Sequence, residues 1–470
     1  MAWPADVVGA AAALADGSEL AWLDSVQSSV ELATESRYSL LSAAPLAVIT
    51  QYPGQPARLC IGGQFVIEGA SAWTLWRDVN ERLPSLATAP FDLSPGWIGY
   101  VGFEAAGLLE RLPDAPPDDL GLPFFRMALF DAGIVLDHVD ERAYALSAPA
   151  VAPALGLGAP GAGCRARWSR AAIARAASPP QPLARLHHDL TRADHERMVR
   201  RALDYIAAGD IYQVNVAQRL RVTGVGDPLT TYAAVRHSNP APYAALLRWD
   251  DGAIASVSPE LFLRLQGDQV RTRPIKGTRP RTGDPARDER YRRELLASAK
   301  EAAELTMIVD LHRNDLGRVC RYGSVQVEHP RRVEAHPTVW HTVADVVGRL
   351  ARGQDALALL AACFPAGSIS GVPKIRALEI IAELEHVARG AYTGAIGVLG
   401  LDGQMTFNVA IRTLQMRGKT ATLYVGGGIV ADSDPAAEYE ETVAKARGIL
   451  AGIVPGEESV VLAPQSAVTA

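Results

Sequence analysis

Lysine is nearly missing from this chain. Of 46 basic residues only five are lysines (Lys276, Lys300, Lys374, Lys419 and Lys445), and none precedes Lys276. Cysteine is as sparse. Cys60, Cys164, Cys320 and Cys363 form no CxxC pair and no metal-type spacing. That excludes a disulfide framework and fits a reducing cytoplasm. No run of about 18 apolar residues exists, so no membrane span is expected. The opening MAWPADVV lacks the basic region and apolar core of a signal peptide. Net positive charge is also absent: the balance is −6, which argues against general nucleic-acid binding. The arginine-rich stretch 271–293 is interrupted by Asp284, Asp288 and Glu289. No GxGxxG follows a strand pattern, and no P-loop, HExxH or Ser-His-Asp order occurs, so a dinucleotide-binding domain is not expected.

Where arginine is the default cation, Lys276 inside Pro274-Ile275-Lys276-Gly277-Thr278 asks for a reason. Arginine stays charged, whereas lysine loses its proton when its surroundings lower its pKa, and then serves as base or nucleophile. Arg271, Arg273, Arg279 and Arg281 flank it, a cationic setting that favours the neutral amine if they converge in space. The other reading is a solvated lysine in a basic loop.

The segment 151–184 is rich in Ala, Pro and Gly and reads as a linker between an N-terminal part, 1–150, and a main part, 185–456, with a flexible tail at 457–470. Apolar runs at 46–52 and 134–138 predict strands. Thr191 and Asp194 predict a capping box opening a helix that Gly209 stops. Strands are expected at 211–222, 243–249, 252–258, 261–266, 395–401, 405–417 and 420–427, and helices at 285–308, 355–362, 373–388 and from Pro435. Consecutive strands with short turns and no βαβ alternation point to antiparallel pairing with helices outside, hence an α+β fold.

On the last helix, Asp434 can cap and Pro435 suits the first turn. Glu438, Glu441 and Lys445 then share one face, either as a charged solvent face or, with substrate oxygens, as a Mg²⁺ site. Gly426-Gly427-Gly428 upstream reads as a turn, plain or able to receive a carboxylate through its N–H groups. Glu304 is a second metal ligand or a salt-bridge partner of Lys300. Arg313 to Arg318 reads as a polar turn after a strand-like run, and His341 as a core histidine among apolar neighbours.

Taken together, IYQVNVAQR (211–219), SPELFLR (258–264), RPIKGTRPR (273–281), ELTMIVDLHRNDLGRVC (304–320), FPAGSISGVPKIRALEII (364–381), YTGAIG (392–397), FNVAIRT (407–413) and GGGIVADSDPAAEYEET (426–442) resemble the chorismate-utilising enzymes. That family includes component I of anthranilate synthase and of aminodeoxychorismate synthase, and the isochorismate and salicylate synthases. The resemblance implies a single large domain of two face-packed antiparallel sheets wrapped by helices, with 1–150 as a subdomain of it. It implies Mg²⁺ held by Glu304 and Glu441 with Glu438 close by. Lys445, Gly426, Gly427 and Gly428 would face substrate carboxylates, and Tyr392 and Arg412 the enolpyruvyl carboxylate. Gly277 and Thr278 would line the ring pocket, with His341 over the ring. Ser36, in Glu35-Ser36-Arg37-Tyr38, matches a tryptophan pocket.

Two positions divide the family. Water-using members carry a lysine where this chain has Gln213, and anthranilate synthases carry alanine where it has Lys276. The lysine is typical of the aminodeoxychorismate branch, in which Glu260 would protonate the C4 hydroxyl and Lys276 attack C2. That branch implies chorismate as substrate, ammonia from a separate glutamine amidotransferase subunit, and a product leading to p-aminobenzoate and folate. An anthranilate synthase component I with an atypical lysine, and a non-catalytic binding scaffold on the same fold, are the competing readings.

Overall fold

The computed structural model describes residues 1–26, 35–158, 164–175, 184–336 and 339–454. The expected tail at 457–470 and the linker portions 159–163 and 176–183 lie outside the described residues. Local signals act where they stand. The Thr191 hydroxyl accepts the Asp194 N–H at 3.2 Å and the Asp194 carboxylate accepts the Thr191 N–H at 3.1 Å, closing the capping box of helix Arg192–Ala207. Asp434 accepts from Ala437 N at 2.8 Å and Pro435 occupies the first turn of helix Pro435–Leu450.

Two antiparallel sheets carry the fold. Across the first run strands Arg185–His188, Gln213–Thr223, Thr420–Ile429, Thr413–Arg417, Gly252–Ser258, Tyr243–Trp249, Leu20–Asp24, Tyr38–Ala43, Ala132–Asp137 and Arg142–Ser147. The second begins with Ile275–Pro280, Val339–Arg349, Gln269–Arg273, Leu261–Gln266, Met405–Val409, Ala395–Gly400 and Gly96–Val101, and ends at Gln64–Gly69. N-terminal strands are built into both sheets: Leu20–Asp24 pairs with Tyr243–Trp249, and Gly96–Val101 with Ala395–Gly400. Alternation splits each strand between two cores. Leu23, Ile98, Tyr100, Leu247 and Ile254 fill the space between the sheets. Leu20 and Trp22 face outward, in one core with residues of helices Val7–Ala15, Pro228–Ser238 and Pro435–Leu450. Trp97 and Val101 do so beneath helices Ala72–Asn80 and Ala356–Cys363. Within the stretch 151–184, helices Val151–Ala154 and Cys164–Ala171 form, and Trp168 is buried in the outer core.

Four local expectations are corrected. The strand pattern at 405–417 is two strands in different sheets, Met405–Val409 and Thr413–Arg417. The corner turns at Arg412, whose φ of +52° is left-handed, without a glycine or proline to announce it. The helix expected at 285–308 breaks at Ser298 into Pro285–Ala297 and Ala299–Gly317, because the Ser298 hydroxyl caps the second by accepting Glu301 N at 3.3 Å. Most of the polar run from Arg313 continues that helix instead of forming a turn, and its Asp315 pairs with Lys374 at 2.8 Å. The triglycine is not a turn. It runs inside strand Thr420–Ile429, paired with Asn215, Val216 and Ala217.

One buried cation ties these parts together. Arg389, 1% exposed, donates twice to Glu385 at 2.7 and 2.6 Å, and also to Asn215 O at 2.8 Å and Thr393 Oγ1 at 3.0 Å. Its guanidinium lies 4.5 Å from the Phe103 ring. Glu385 also accepts Ala217 N at 3.0 Å, and Glu104 accepts the N–H groups of Arg389 and Gly390. Removing one member of such a pair leaves the other charge buried alone. Arg389→Met should therefore lower the unfolding free energy by about 3–5 kcal/mol in urea titration. A change below about 1 kcal/mol would show that the clamp is not structurally important.

Candidate active site

Lys276 projects from strand Ile275–Pro280, at the edge of the second sheet, where a bulge at Gly277 re-aims the side chains. Gly277 has φ +75°, and a Cβ there would stand 2.8 Å from Glu301 of the neighbouring helix, so both conformation and space call for glycine. The Lys276 amine donates to Ser368 O at 3.4 Å. Burial lowers its pKa, while Glu304, Glu260 and Glu441 pull the other way and Lys445 adds to the lowering. The flanking arginines are not the cause. Arg271 and Arg273 are engaged by Glu35 and Asp345, with Glu334 also on Arg273; Arg279 approaches Glu301 and Arg281 binds His336 O.

Glu260 acts on the same amine through its charge. It is 3% exposed, and burial raises its pKa to about 7 against the opposing Ser368 hydrogen bond and the charges of Lys276 and Arg412. The Ser368 hydroxyl meets its carboxyl at 2.6 Å. A carboxyl titrating near 7 can give up a proton at neutral pH.

The glycine strand forms the floor. A Cβ on Gly428 would lie 3.3 Å from Lys276 Nζ and 3.1 Å from Gln213 Nε2. One on Gly427 would lie 2.7 Å from Glu438, and one on Gly426 3.0 Å from the Tyr392 hydroxyl. Gln213 is fully buried with both side-chain amide atoms unpartnered. Such groups cost about 1–3 kcal/mol each unless something fills the space.

Three carboxylates come from two helices, Glu304 from Ala299–Gly317 and Glu438 and Glu441 from Pro435–Leu450. Burial raises Glu304 and Glu438, with like charge from Glu301 and Glu438 on the first and from Glu441 on the second. Glu441 is lowered by Lys445, 2.8 Å away, which also donates to Gly426 O at 2.8 Å. Lys300 stands 3.9 Å from Glu304. Among the described residues no group of three or more His, Cys, Asp or Glu side chains could by itself hold a metal ion. Under-compensated carboxylates on two helices nevertheless suit a hard cation that completes its shell with water or substrate oxygens.

His341, 3% exposed, sits beside Thr278 and Arg412. Arg412 only donates, so His341 Nε2 accepts from it at 3.4 Å, and Nδ1 carries the hydrogen facing Thr278 Oγ1 at 3.0 Å and Gly277 O at 3.4 Å. Burial, then His336 and Arg412, hold its pKa well below the usual histidine range, so the ring is neutral. The Tyr392 ring stacks on Tyr424 at 5.4 Å. Ser36 belongs to a different group. It is 1% exposed with its hydroxyl unpartnered, and its neighbours Glu35 and Arg37 line a cavity with Tyr243 and Arg264. Ser368 and Asn215 lie within motifs visible in the sequence, yet nothing in their types or spacing singled them out.

A family profile described as chorismate binding enzyme matches residues 34–451, and the chain belongs to that family. It is 43% identical over 378 residues to anthranilate synthase component 1 of Streptomyces coelicolor, covering 76% of this chain and 72% of that protein. It is 35% identical over 441 residues to aminodeoxychorismate synthase component 1 of Salmonella typhimurium, covering 92% and 93%. The crystal structure of anthranilate synthase component I from Streptococcus pneumoniae superposes with a TM-score of 0.76 at 30% identity, covering 88% of this chain and 92% of that one. The protein is thus a chorismate-utilising enzyme of the anthranilate/aminodeoxychorismate synthase type. No helix among the described residues is long and apolar enough to cross a membrane.

Gly428→Ala places a methyl against the ends of Lys276 and Gln213. It should reduce turnover of chorismate about 100-fold, as small misplacements at a reacting centre do, with little change in melting temperature. Full turnover in steady-state assays would remove Gly428 from the site.

Proposed function

We propose that this chain is component I of aminodeoxychorismate synthase, converting chorismate and ammonia to 4-amino-4-deoxychorismate on the way to p-aminobenzoate and folate. The observation that carries the reading is Lys276, its amine proton weakened by burial, facing Glu260 with a pKa of about 7. Lys276 attacks C2 with its lone pair, the ring double bonds shift, and the C4–O bond breaks as Glu260 delivers its proton, so the hydroxyl leaves as water. Ammonia then bonds to C4, the double bonds shift back, and the C2–N bond breaks with its electron pair returning to Lys276. Arg412 and Tyr392 hold the enolpyruvyl carboxylate, and Thr278 and neutral His341 border the ring. Glu304 and Glu441, with Glu438 beside them, would hold Mg²⁺, a Lewis acid that when bound would make the ring more electron-poor. Ammonia comes from a separate glutamine amidotransferase, in keeping with relatives named as component 1, and the enzyme works in the cytoplasm.

Anthranilate synthase component I is the second reading, favoured by the 43% identity to the Streptomyces coelicolor protein. Purified chain with chorismate, Mg²⁺ and ammonium salt should yield aminodeoxychorismate, read as p-aminobenzoate after a lyase is added. Anthranilate as the product would establish the second reading, and no turnover would favour a binding scaffold. Lys276→Ala should abolish or sharply reduce amination at C4 and divert product toward C2; wild-type rate and product would remove the covalent role. Glu441→Gln should move the Mg²⁺ titration to higher concentration, and an unchanged midpoint would refute that ligand.

A further inference from the structure

The short turn Gly367–Ile369 reaches both reacting side chains through one residue. Ser368 is 7% exposed; its hydroxyl stands 2.6 Å from Glu260 Oε1 and its carbonyl accepts from Lys276 Nζ at 3.4 Å. The turn has little freedom to move. A Cβ on Gly367 would overlap Leu311 of the helix that bears Glu304. Ile369 O accepts from Arg389 at 3.4 Å, and Ser370 O accepts from Asn215 N at 2.8 Å. Ser368 is thereby fixed against the helix, the Arg389 clamp and strand Gln213–Thr223 together.

We infer that Ser368 is a positioning residue that sets the acid strength of Glu260 while holding the Lys276 amine in register with it. A hydroxyl can accept from a protonated carboxyl and donate to an ionised one. As Glu260 releases its proton, Ser368 turns to donate, so the carboxylate formed keeps a hydrogen bond in a site where burial penalises its charge. The charged groups facing Glu260 are Lys276 on its strand and Arg412 at the sheet corner, and the Ile275 N–H also points at it. Both cations assist ionisation, but the Lys276 contribution falls away when its amine is neutral. The Ile275 N–H and Arg412 stay in place, and Ser368 is the neutral side-chain donor that adds to them. Without it Glu260 becomes a weaker acid, and its titration moves to higher pH.

This inference rests on the proposed acid role of Glu260, but its first readout does not. In protein labelled with [δ-13C]glutamate, with Glu260→Gln used to assign the signal, Ser368→Ala should raise the Glu260 titration midpoint by about one to two pH units, as expected for losing a hydrogen bond to a charged group. Ser368→Thr, which keeps the hydroxyl, should restore it. In turnover, Ser368→Ala should lower kcat at least tenfold, change KM for chorismate less than threefold, and shift the same pH limb upward. An unmoved midpoint in folded Ser368→Ala protein, checked by thermal melting, would overturn the inference. So would a change in KM alone, which would make Ser368 a substrate contact. A midpoint that moves while no kinetic limb disappears in Glu260→Gln would instead count against the acid role of Glu260.

Discussion

The buried pair Arg389–Glu385 is the constraint on which the site depends. A guanidinium this deep is tolerable only because its donors meet a carboxylate, a carbonyl and a hydroxyl at hydrogen-bond distance. Each acceptor belongs to a different functional segment. Asn215 sits on the strand paired with the floor, opposite Gly428, Thr393 follows Tyr392, and Ile369 follows Ser368. Charge satisfaction at one point therefore fixes the relative placement of three walls of the cleft. That placement is what a reaction needing atoms aligned to a fraction of an ångström requires.

Much of this was legible in the sequence because it rests on local chemistry. Thr191 with Asp194, and Asp434 with Pro435, define helix starts whatever surrounds them, and strands 243–249, 252–258 and 261–266 follow from short apolar runs with turns between. The motif resemblance brought in the sheet architecture, and the family match bears that out. What escaped depends on tertiary context. A strand-like run at 405–417, with no glycine or proline inside it, conceals a crossing between sheets because Arg412 adopts a left-handed conformation that glycine would have signalled. The triglycine reads as a turn by composition, but pairing with Gln213–Thr223 makes it a strand whose missing side chains open space above it. The arginines around Lys276 looked like the source of its lowered pKa. In space they answer to Glu35, Asp345, Glu334 and Glu301, and burial does the work instead.

Burial of Lys276 and Glu260 together has a further consequence. A neutral amine beside a protonated carboxyl holds the same number of protons as an ammonium beside a carboxylate. Solution pH alone thus does not choose between the two states. Burial disfavours both charges and so favours the neutral pair, the form that the proposed attack on C2 and protonation of the C4 hydroxyl would need. Opposite-charge attraction favours the ion pair, and Glu304 and Glu441 also hold the proton on the amine. Anything that neutralises those two glutamates weakens the hold on the lysine proton and tips the pair toward its neutral form. Arginine at 276 would keep its charge whatever surrounded it. Of the two cations this sequence uses, only lysine could lose its proton there and serve as the proposed nucleophile.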